Sequence, residues 1–435
     1  MNNIFFIPVG NFFGKQSEAC FLVYAPLKNN FFLVTKAEAA KMQEQLANHE
    51  DSEVLKNLYA PEPEAQKVST DTFVTLHLLL NEKCNFHCVY CYSAQGRSSA
   101  ELTMEQIEPV LRWFLSADRK APNKRTIMFM GGGEPVLSWK KLVKATNLAR
   151  QIAEEQNIKV GFQLTTNGSV MTDEMLDFLA TNKFRVQISF EVLPDVQEKQ
   201  RGVYAKVAEN IQRIGAKGID HYIRSTITPE NAERIPEMVE WCHTHFPDTK
   251  KLSCQQVVDA EYFATPEIVE SFFGRYFQSF RAGEKKADEF GIALRSSSSH
   301  LLDYSQRERF CFNLAVLTPY GTLTTCPDVS SPLEKDYPAA VFGEVVDGTV
   351  RFDDDAFGRL TRGSIHYYDK CKDCFARWNC GSGCPSTRRV YRPEIFDAIC
   401  AHYRNMLTYS LMMRLAEKFK QNTGKDLFET IAKQL

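Results

Sequence analysis

The sequence has no long apolar run and no strong excess of either charge. None of its segments resembles an apolar span of about eighteen residues, as a membrane helix requires. The stretch MNNIFFIPVGNFFGKQ lacks the basic segment and the long apolar stretch of a secretory signal. A net charge of −2 gives no general reason to expect nucleic acid or an anionic membrane as a partner. We therefore expect a cytoplasmic protein with no nucleic-acid partner and no membrane partner.

Internal repeats and low-complexity tracts are also lacking, and the composition is that of a globular protein. A rough prior of ~150 residues per domain suggests two or three domains for the 435 residues. The unusual feature is a content of thirteen cysteines. A reducing cytosol disfavours a disulfide framework, so clustered cysteines are interpreted first as metal ligands or catalytic residues. Ten of them lie in two groups, whereas Cys20, Cys242 and Cys254 stand apart.

The order of predicted elements indicates an α/β fold. From Phe73 onward, strands alternate with helices, which favours a parallel sheet, open or partly closed as a barrel. We predict a partial (β/α)6 TIM-like barrel with an amino-terminal α+β extension and a carboxy-terminal cysteine-rich auxiliary domain. The predicted strands lie at 73–80, 126–130, 159–165, 185–190, 221–226 and 251–258.

Four units are expected along the chain. In residues 1–70, apolar stretches at 20–24 and 31–35 flank a turn and predict a hairpin, followed by a helix over 36–58. The cysteine-rich part shows no regular alternation, and a final amphipathic helix is predicted over 401–419. The units are 1–70 (the extension), 71–290 (the barrel), 291–402 (the cysteine-rich domain) and 403–435 (the terminal helix).

Several polar motifs directly follow predicted strands. In parallel sheets and barrels the ligand site lies at the carboxyl ends of the strands. Motifs at those ends therefore support one shared site. They are the cysteines from Cys84 to Cys91, GGGEP at 131–135, TTNG at 165–168 and SFE at 189–191.

The first cysteine group, Cys84-x3-Cys88-x2-Cys91, places three thiols within eight residues after the first barrel strand. Three thiolates on one loop can hold three irons of a [4Fe-4S] cubane and leave the fourth iron open for another ligand. A zinc site usually has four closed ligands or includes histidine. His87 is nearby, but the triad has no paired Cys-x2-Cys elsewhere in its own unit.

The segment CNFHCVYC after a first strand resembles the signature of the radical SAM superfamily. The resemblance implies that S-adenosylmethionine (SAM) chelates the open iron through its amino and carboxylate groups. An electron from the reduced cluster then cleaves SAM to methionine and a 5′-deoxyadenosyl radical, which abstracts a substrate hydrogen. It also implies an electron donor such as flavodoxin or ferredoxin.

The same resemblance assigns further residues to SAM. Glycines allow close approach of the backbone, so that carbonyls there can accept from an ammonium group. Arg224 competes with Arg201 for the SAM carboxylate. Many relatives read S-L-D-G where this chain reads Ser189-Phe190-Glu191-Val192, so a catalytic role for Glu191 is left open. The implied SAM contacts are Gly131, Gly132, Gly133, Glu134, Asn167, Ser189 and Arg201, with Tyr90 beside the third cysteine.

The second cysteine group is similar to the seven-cysteine pattern of SPASM domains, which carry two auxiliary [4Fe-4S] clusters. The resemblance implies three clusters in all, with the inner auxiliary cluster one ligand short. Cys254 is a weak candidate for that ligand, since a lone strand cysteine is more often a core thiol. The implied ligands are Cys371, Cys374, Cys380 and Cys400 for the outer cluster, and Cys311, Cys326 and Cys384 for the inner one.

Two alternatives concern individual residues of this region. Cys371, Cys374, Cys380 and Cys384 could close a tetrahedral zinc site, which the upstream triad disfavours. Asp328, two residues after Cys326, is a candidate catalytic base beside the inner cluster, although a surface or turn aspartate is slightly favoured. His77, inside the first barrel strand, is interpreted as a core or lumen residue.

The leading functional hypothesis is a maturase that forms a thioether or carbon–carbon crosslink in a ribosomally made peptide. Residues 1–70 would then either dock the leader of a leader-plus-core substrate through a strand edge or cap the barrel, with equal weight. An anaerobic sulfatase-maturating enzyme is the second hypothesis, although the eighth cysteine is missing and Asp328 is displaced by one residue. A small-molecule dehydrogenase is the third, and a non-catalytic electron carrier the fourth.

The cluster assignment predicts the iron content. Anaerobic reconstitution should give roughly twelve irons per chain, at four irons per cluster. Replacing Cys84, Cys88 and Cys91 with Ala should leave about two thirds of that iron, because the two auxiliary clusters remain. Reductive SAM cleavage, measured as 5′-deoxyadenosine after dithionite addition, should be abolished. A triple variant that still cleaves SAM would contradict the assignment.

Overall fold

The computed structural model describes residues 3–48, 52–304, 306–311 and 313–435. Its strands form a three-stranded sheet of order β1-β2-β3 and an eleven-stranded sheet of order β10-β9-β8-β7-β6-β5-β4-β11-β12-β13-β14. The strands are β1 (Phe5–Pro8), β2 (Cys20–Ala25), β3 (Asn30–Thr35), β4 (Thr75–Leu78), β5 (Lys124–Phe129), β6 (Lys159–Thr166), β7 (Arg185–Ser189), β8 (His221–Ile227), β9 (Lys251–Gln256), β10 (Ala293–Arg295), β11 (Leu314–Leu317), β12 (Thr322–Thr324), β13 (Val341–Val346) and β14 (Thr349–Phe352).

The helices pack mainly around the large sheet. They are α1 (Lys36–Ala47), α2 (Glu53–Leu58), α3 (Met104–Phe114), α4 (Trp139–Glu155), α5 (Asp173–Thr181), α6 (Pro194–Gln200), α7 (Tyr204–Ala216), α8 (Ile235–His245), α9 (Pro266–Phe290), α10 (Tyr337–Ala340), α11 (Asp354–Thr361), α12 (Arg377–Cys380), α13 (Pro385–Val390), α14 (Pro393–Thr423) and α15 (Leu427–Ala432). Within the described ranges, none of them is long and apolar enough to cross a membrane.

The strands β4 to β9 are mutually parallel neighbours in chain order, which confirms the predicted α/β fold with a parallel sheet. Each has a buried face of apolar residues directed to the helices. In β6, Phe162 and Leu164 are buried whereas Gln163 and Thr165 between them are partly exposed, as the period of two in a strand requires. The second face of the strands is therefore the polar inner wall of the partial barrel.

The large sheet continues beyond the predicted six strands at both edges. β10 adds in parallel to β9, and β11 pairs in parallel with β4, with Leu314 opposite Thr75. An antiparallel meander of β12, β13 and β14 follows. The sequence of the cysteine-rich part shows no regular alternation of apolar and polar residues. The strands found there are three to six residues long, which is too short to show a clear period. The division into four units stays a proposal. The large sheet extends across the proposed boundary at residue 290, because β10 pairs with β9.

The terminal helix differs from the sequence expectation in a way that packing explains. The terminal helix α14 begins at Pro393, eight residues earlier than predicted. Its first turns bury Ile395 and Ile399 in the main core, whereas Leu407 and Leu411 join a second core with the extension. Because the two halves bury different faces, no single apolar stripe marks the whole helix.

The amino-terminal extension contains the predicted hairpin as β2 and β3, with β1 added at the edge of β2. The predicted helix over 36–58 is present as α1 and α2, while residues 49–51 lie outside the described residues. One face of this sheet packs on α1 and α2, and the other packs on α14 and on residues near Cys374 and Cys380. The extension thus covers the cysteine-rich segment.

Buried polar contacts hold the extension in place. The Tyr24 hydroxyl donates to Asn379 Oδ1 at 2.8 Å. Asn3 Oδ1 accepts from Arg377 Nη2 at 2.7 Å and from Trp378 Nε1 at 2.9 Å. Since these partners immediately precede Cys380, the extension is fixed to the backbone that carries a predicted cluster ligand.

The replacement Tyr24→Phe tests this attachment. It removes a hydroxyl and leaves the buried Asn379 acceptor unpaired, so we expect the free energy of unfolding to fall by about 1–3 kcal/mol. Urea unfolding followed by circular dichroism measures the change. Tyr59→Phe is the matched control, because Tyr59 is 52% exposed. Equal effects of the two substitutions would contradict the proposed attachment.

Candidate cluster and cofactor site

The first cysteine loop follows β4 and lies at the carboxyl end of the parallel strands. Cys84, Cys88 and Cys91 are each partly buried. The Asn167 amide lies 4.0 Å from Cys84 Sγ, and Arg97 Nη2 donates to Cys91 Sγ at 3.3 Å. Burial raises the pKa of the Cys88 and Cys91 thiols, so thiolates there require a nearby positive charge. A bound metal centre would supply that charge, and the three thiols fit the predicted cluster chemically.

The glycine-rich loop after β5 lies against the backbone of the cysteine loop. The Gly133 N–H donates to Asn81 O at 2.8 Å, and the Glu134 N–H donates to Lys83 O at 2.7 Å. A Cβ added at Gly133 would lie 1.8 Å from Lys83 O, which no side chain can tolerate. The contact therefore requires glycine at this position, and it brings the predicted SAM-binding loop beside Cys84.

Glu134 connects the glycine-rich loop to TTNG. Its carboxylate accepts from the Asn167 N–H and from the Thr166 hydroxyl, both at 2.7 Å. Burial raises the pKa of Glu134, while these hydrogen bonds lower it. The carboxylate is thus already bound by protein donors, and its role in this structure is to hold two loops together. The contacts of Glu134 and Asn167 with SAM stay predictions.

Glu191, the candidate catalytic acid, is fully buried among donors. Its carboxylate accepts from Arg201 Nε at 2.9 Å, Ser225 Oγ at 2.6 Å and the Thr226 N–H at 2.8 Å. The Tyr90 hydroxyl is a fourth donor. A carboxylate so enclosed fits a positioning role better than proton exchange with a substrate.

Arg201 is held by the same group of side chains. Its Nε also donates to the Tyr90 hydroxyl at 2.7 Å, and only 10% of its side chain is exposed. Burial alone lowers the pKa of Arg201, but the nearby Tyr90 and Glu191 raise it overall. The guanidinium is therefore charged and fixed beside the cysteine loop. The nearby Cys88 also raises the pKa of Arg201.

The departure from S-L-D-G has a structural consequence. Val192, at the glycine position of that motif, has a φ of 68°. This left-handed conformation is easy for glycine and strained for a β-branched residue. The turn after β7 therefore keeps the backbone shape that glycine favours, and Glu191 remains directed inward.

Arg224 and Ser189 lie on the inner wall of the barrel, directly opposite each other in the pairing of β8 with β7. Arg224 interacts electrostatically with Asp328 and with Tyr92. The two competing arginines thus occupy different positions. Arg201 is fixed at Glu191, whereas Arg224 faces the second cysteine group. Which of them binds the SAM carboxylate stays a prediction.

Four cysteines of the second group line one cavity of about 300 Å³. The positively charged Arg377 and Arg388 and the ring of Tyr403 line it as well. Within the described residues, no group of three or more His, Cys, Asp or Glu side chains is arranged to hold a metal ion, so ligation of clusters by the cysteines stays a prediction. The cysteines that line the cavity are those implied for the outer cluster: Cys371, Cys374, Cys380 and Cys400.

The remaining cysteines of the second group form a separate set with Asp328. The pKa of Cys326 is raised by burial and by the nearby Asp328 and Cys384. Cys311, which is exposed, is an electrostatic neighbour of Cys384. Burial raises the pKa of Asp328, while a hydrogen bond with Ser386 lowers it. The structure thus brings Asp328 next to the three implied ligands of the inner cluster.

Cys254 and His77 lie elsewhere in the barrel. Cys254 is fully buried, and its electrostatic neighbours are Cys242 and Glu191. Its surroundings are those of a core thiol in β9. His77 is buried in β4, and burial lowers its pKa to about 4, which keeps the ring neutral at physiological pH.

Two residues near the cysteine loop were not predicted from the sequence. Arg97 reaches Cys91 because residues 93–100 fold back over the loop, a path without any sequence signal. Glu82 is fully buried beside Gly132, and both its carboxylate oxygens lack a hydrogen-bond partner among the described residues. Burial raises the pKa of Glu82 to about 7. Arg97 adds positive charge close to the predicted cluster.

A partial parallel barrel with three cysteines after its first strand, and glycine-rich and polar loops after the next strands, defines a cluster-binding α/β enzyme. Residues 78–242 match the family model described as the Radical SAM superfamily. Residues 78–242 thus form a radical SAM domain, and that family implies SAM and a [4Fe-4S] cluster.

Curated relatives match parts of the chain. The sporulation killing factor maturation protein SkfB of Bacillus subtilis is 24% identical over 211 residues, covering 47% of this chain and 48% of the relative. A cysteine-type anaerobic sulfatase-maturating enzyme of Clostridium novyi is 20% identical over 215 residues, covering 45% of this chain and 56% of the relative. The chain spans about half the length of these relatives.

Solved structures share the fold over most of the chain. A structure of anSMEcpe with bound AdoMet superimposes with a TM-score of 0.60 and 17% identity, covering 78% of this chain and 94% of the other. Streptococcus suis SuiB bound to its precursor peptide SuiA gives a TM-score of 0.50 and 14% identity, covering 87% and 95%. These likenesses confirm the fold class.

The contact at Gly133 gives a prediction. In Gly133→Ala the added methyl would collide with Lys83 O, so the glycine-rich loop must move away from Cys84. We expect at least a threefold loss of SAM affinity and a lower melting temperature, measured by equilibrium dialysis and calorimetry of the reconstituted protein. Gly274→Ala in α9 is the control, since its Cβ meets open space and alanine favours helix. Unchanged SAM affinity in Gly133→Ala would contradict the role of this loop.

Proposed function

We propose that the chain is a radical SAM peptide maturase that holds three [4Fe-4S] clusters and crosslinks a ribosomally made peptide. Bound SAM, reduced by the first cluster, would supply the radical that abstracts a hydrogen from the peptide. The residues of this chain position that chemistry. Cys84, Cys88 and Cys91 would hold the first cluster.

The observation that carries the proposal is that Asp328 interacts both with cysteines of the second group and with a residue beside Cys91. Asp328 interacts electrostatically with Cys326 and Cys384 on one side. Tyr92, next to Cys91, interacts with Asp328 on the other side. A substrate bound there would touch both the radical source and an electron acceptor. That arrangement suits a reaction in which a substrate radical is oxidised after hydrogen abstraction.

In this site Asp328 would serve as the base. In total the substrate loses one hydrogen atom, one electron and one proton. The carbon that lost the hydrogen atom forms the new bond. The electron would pass to the inner cluster, and Asp328 would take the proton. Ser386 and Arg224 would keep the carboxylate in place before the substrate arrives.

The relatives support a peptide substrate. SkfB is a sporulation killing factor maturation protein, and SuiB was crystallised with its precursor peptide SuiA. Two edge strands of the extension, β1 and β3, have free edges within the described sheet and suit addition of an extended leader peptide. The cover that the extension forms over the cysteine-rich segment supports a structural role as well.

Formylglycine formation is the second candidate. The similarity to a cysteine-type anaerobic sulfatase-maturating enzyme, in both sequence and fold, favours it. The set of three cysteines near Asp328, without a fourth among residues 312–325, favours a partly open inner cluster and peptide crosslinking.

Mass spectrometry separates the two candidates. The chain should be coexpressed with short peptides encoded beside it, and the peptides should be analysed after proteolysis. We expect a crosslinked fragment that has lost two hydrogens and does not react with a hydrazide probe. A hydrazide-reactive aldehyde would instead identify formylglycine formation.

The base assignment gives a further prediction. Asp328→Asn should still release 5′-deoxyadenosine with SAM and dithionite, because Asp328 is not a ligand of the first cluster. Crosslinked peptide should fall by about 10²-fold or more, since the proton acceptor is lost. Asp347→Asn is the matched control on the β13–β14 turn, where the side chain is 89% exposed. A variant with normal crosslinking would contradict the assignment.

A further inference from the structure

Four lysines lie on one surface beside the first cysteine loop. We call Lys83, Lys140, Lys141 and Lys144, together with Leu137 between them, the lysine patch. Lys140 and Lys144 are exposed, and Leu137 is 44% exposed. The patch surrounds a shallow depression of about 520 Å³. The depression is lined by Glu101, Met104, Leu137, Ser138, Trp139, Lys140, Lys141 and Lys144.

The patch carries a local excess of positive charge in a chain whose net charge is −2. Glu101 is the acidic residue that lines the depression, and it pairs with Lys141 at 3.0 Å and Lys83 at 3.4 Å. Since one carboxylate faces four ammonium groups, the patch remains positive. Such a surface attracts an acidic partner and accelerates its encounter.

The patch is attached directly to the loop that carries the first cluster ligand. Lys83 precedes Cys84, and Lys83 O accepts the N–H of Glu134 at 2.7 Å. The turn Pro135–Ser138 then leads into α4, whose first residues carry the other lysines. The patch therefore adjoins the cysteine loop through Lys83, the residue directly before Cys84.

We propose that the lysine patch is the docking surface for an acidic, low-potential one-electron carrier protein. The inference rests on the proposed function, because it assigns the source of the electron that SAM cleavage consumes. One electron passes from the carrier to the cluster held by Cys84, Cys88 and Cys91. The carrier is oxidised by one electron and the cluster is reduced by one, with no bond formed or broken.

The chemistry of the patch fits a transient protein partner. An apolar centre formed by Leu137 and Met104 inside a rim of lysines is the usual anatomy of a protein interface. Electron carriers bind through small interfaces, for which long-range charge attraction sets the rate of association. A peptide substrate would instead need to reach the barrel opening near Tyr92 and Asp328.

The test uses the reconstituted enzyme, SAM and flavodoxin hydroquinone as the probe. Lys140→Glu/Lys144→Glu should lower the rate of 5′-deoxyadenosine formation with flavodoxin by about tenfold. With dithionite, a small reductant that needs no docking surface, the rate should equal that of the wild type. The wild-type rate with flavodoxin should also fall as salt increases, because salt screens exposed charges.

The matched control is Lys285→Glu/Lys425→Glu, which changes the charge equally at exposed positions on α9 and after α14. It should keep at least half of the wild-type rate with flavodoxin. Equal losses in the two double variants, or no loss in the first, would overturn the docking surface. A loss with dithionite too, or a changed dependence on peptide concentration, would assign the lysines to the cluster or the substrate and overturn it as well. Absence of 5′-deoxyadenosine from the wild type with dithionite would instead refute the proposed function, and the docking proposal with it.

Discussion

The close approach of two backbones, the glycine-rich loop after β5 and the cysteine loop after β4, is the constraint on which this site depends. The Gly133 and Glu134 N–H groups donate to carbonyls of Asn81 and Lys83. Because Gly133 leaves no room for a side chain, the distance between the loops is set by the backbone itself. Glu134 then fixes TTNG to these two loops, because its carboxylate accepts hydrogen bonds from Asn167 and Thr166. Three loops from three strands therefore form one rigid support around the cysteines.

A buried ion pair also holds the site in place. Arg201 and Glu191 are both removed from water, a costly arrangement unless every polar group is bound. Ser225, Thr226 and Tyr90 supply the remaining contacts, so the pair is well satisfied. Its value to the protein is geometric, since it fixes a positive charge beside the cysteine loop at a defined position. The strained turn at Val192 is tolerated because it keeps Glu191 in that network.

The sequence predicted the parallel barrel because its strands are long enough to show clear apolar runs and its helices have one buried face. The strand predicted over 159–165 is observed as β6 for that reason. The strands β11 to β14 were not predicted, since three to six residues carry too little periodicity. Cysteine spacing indicated the candidate ligands, but the arrangement of Arg97 and Glu82 depends on how a loop folds back, which no local pattern encodes. The enclosure of Glu191 likewise depends on Ser225 and Thr226, which lie more than thirty residues away in sequence.

The pairing of β11 with β4 has a consequence for how two cysteine groups can act together. A separate domain on a flexible linker would vary its distance from the barrel, and electron transfer is steeply sensitive to distance. Here the strand that follows Cys311 is hydrogen-bonded to the strand that precedes Cys84. The α14 helix adds a second connection, since it packs on the main core with its first half and on the extension with its second. The extension in turn is bonded to residues beside Cys380 through Tyr24 and Asn3. Each cysteine group is therefore attached to the barrel through continuous secondary structure, which fixes the separation of the two groups.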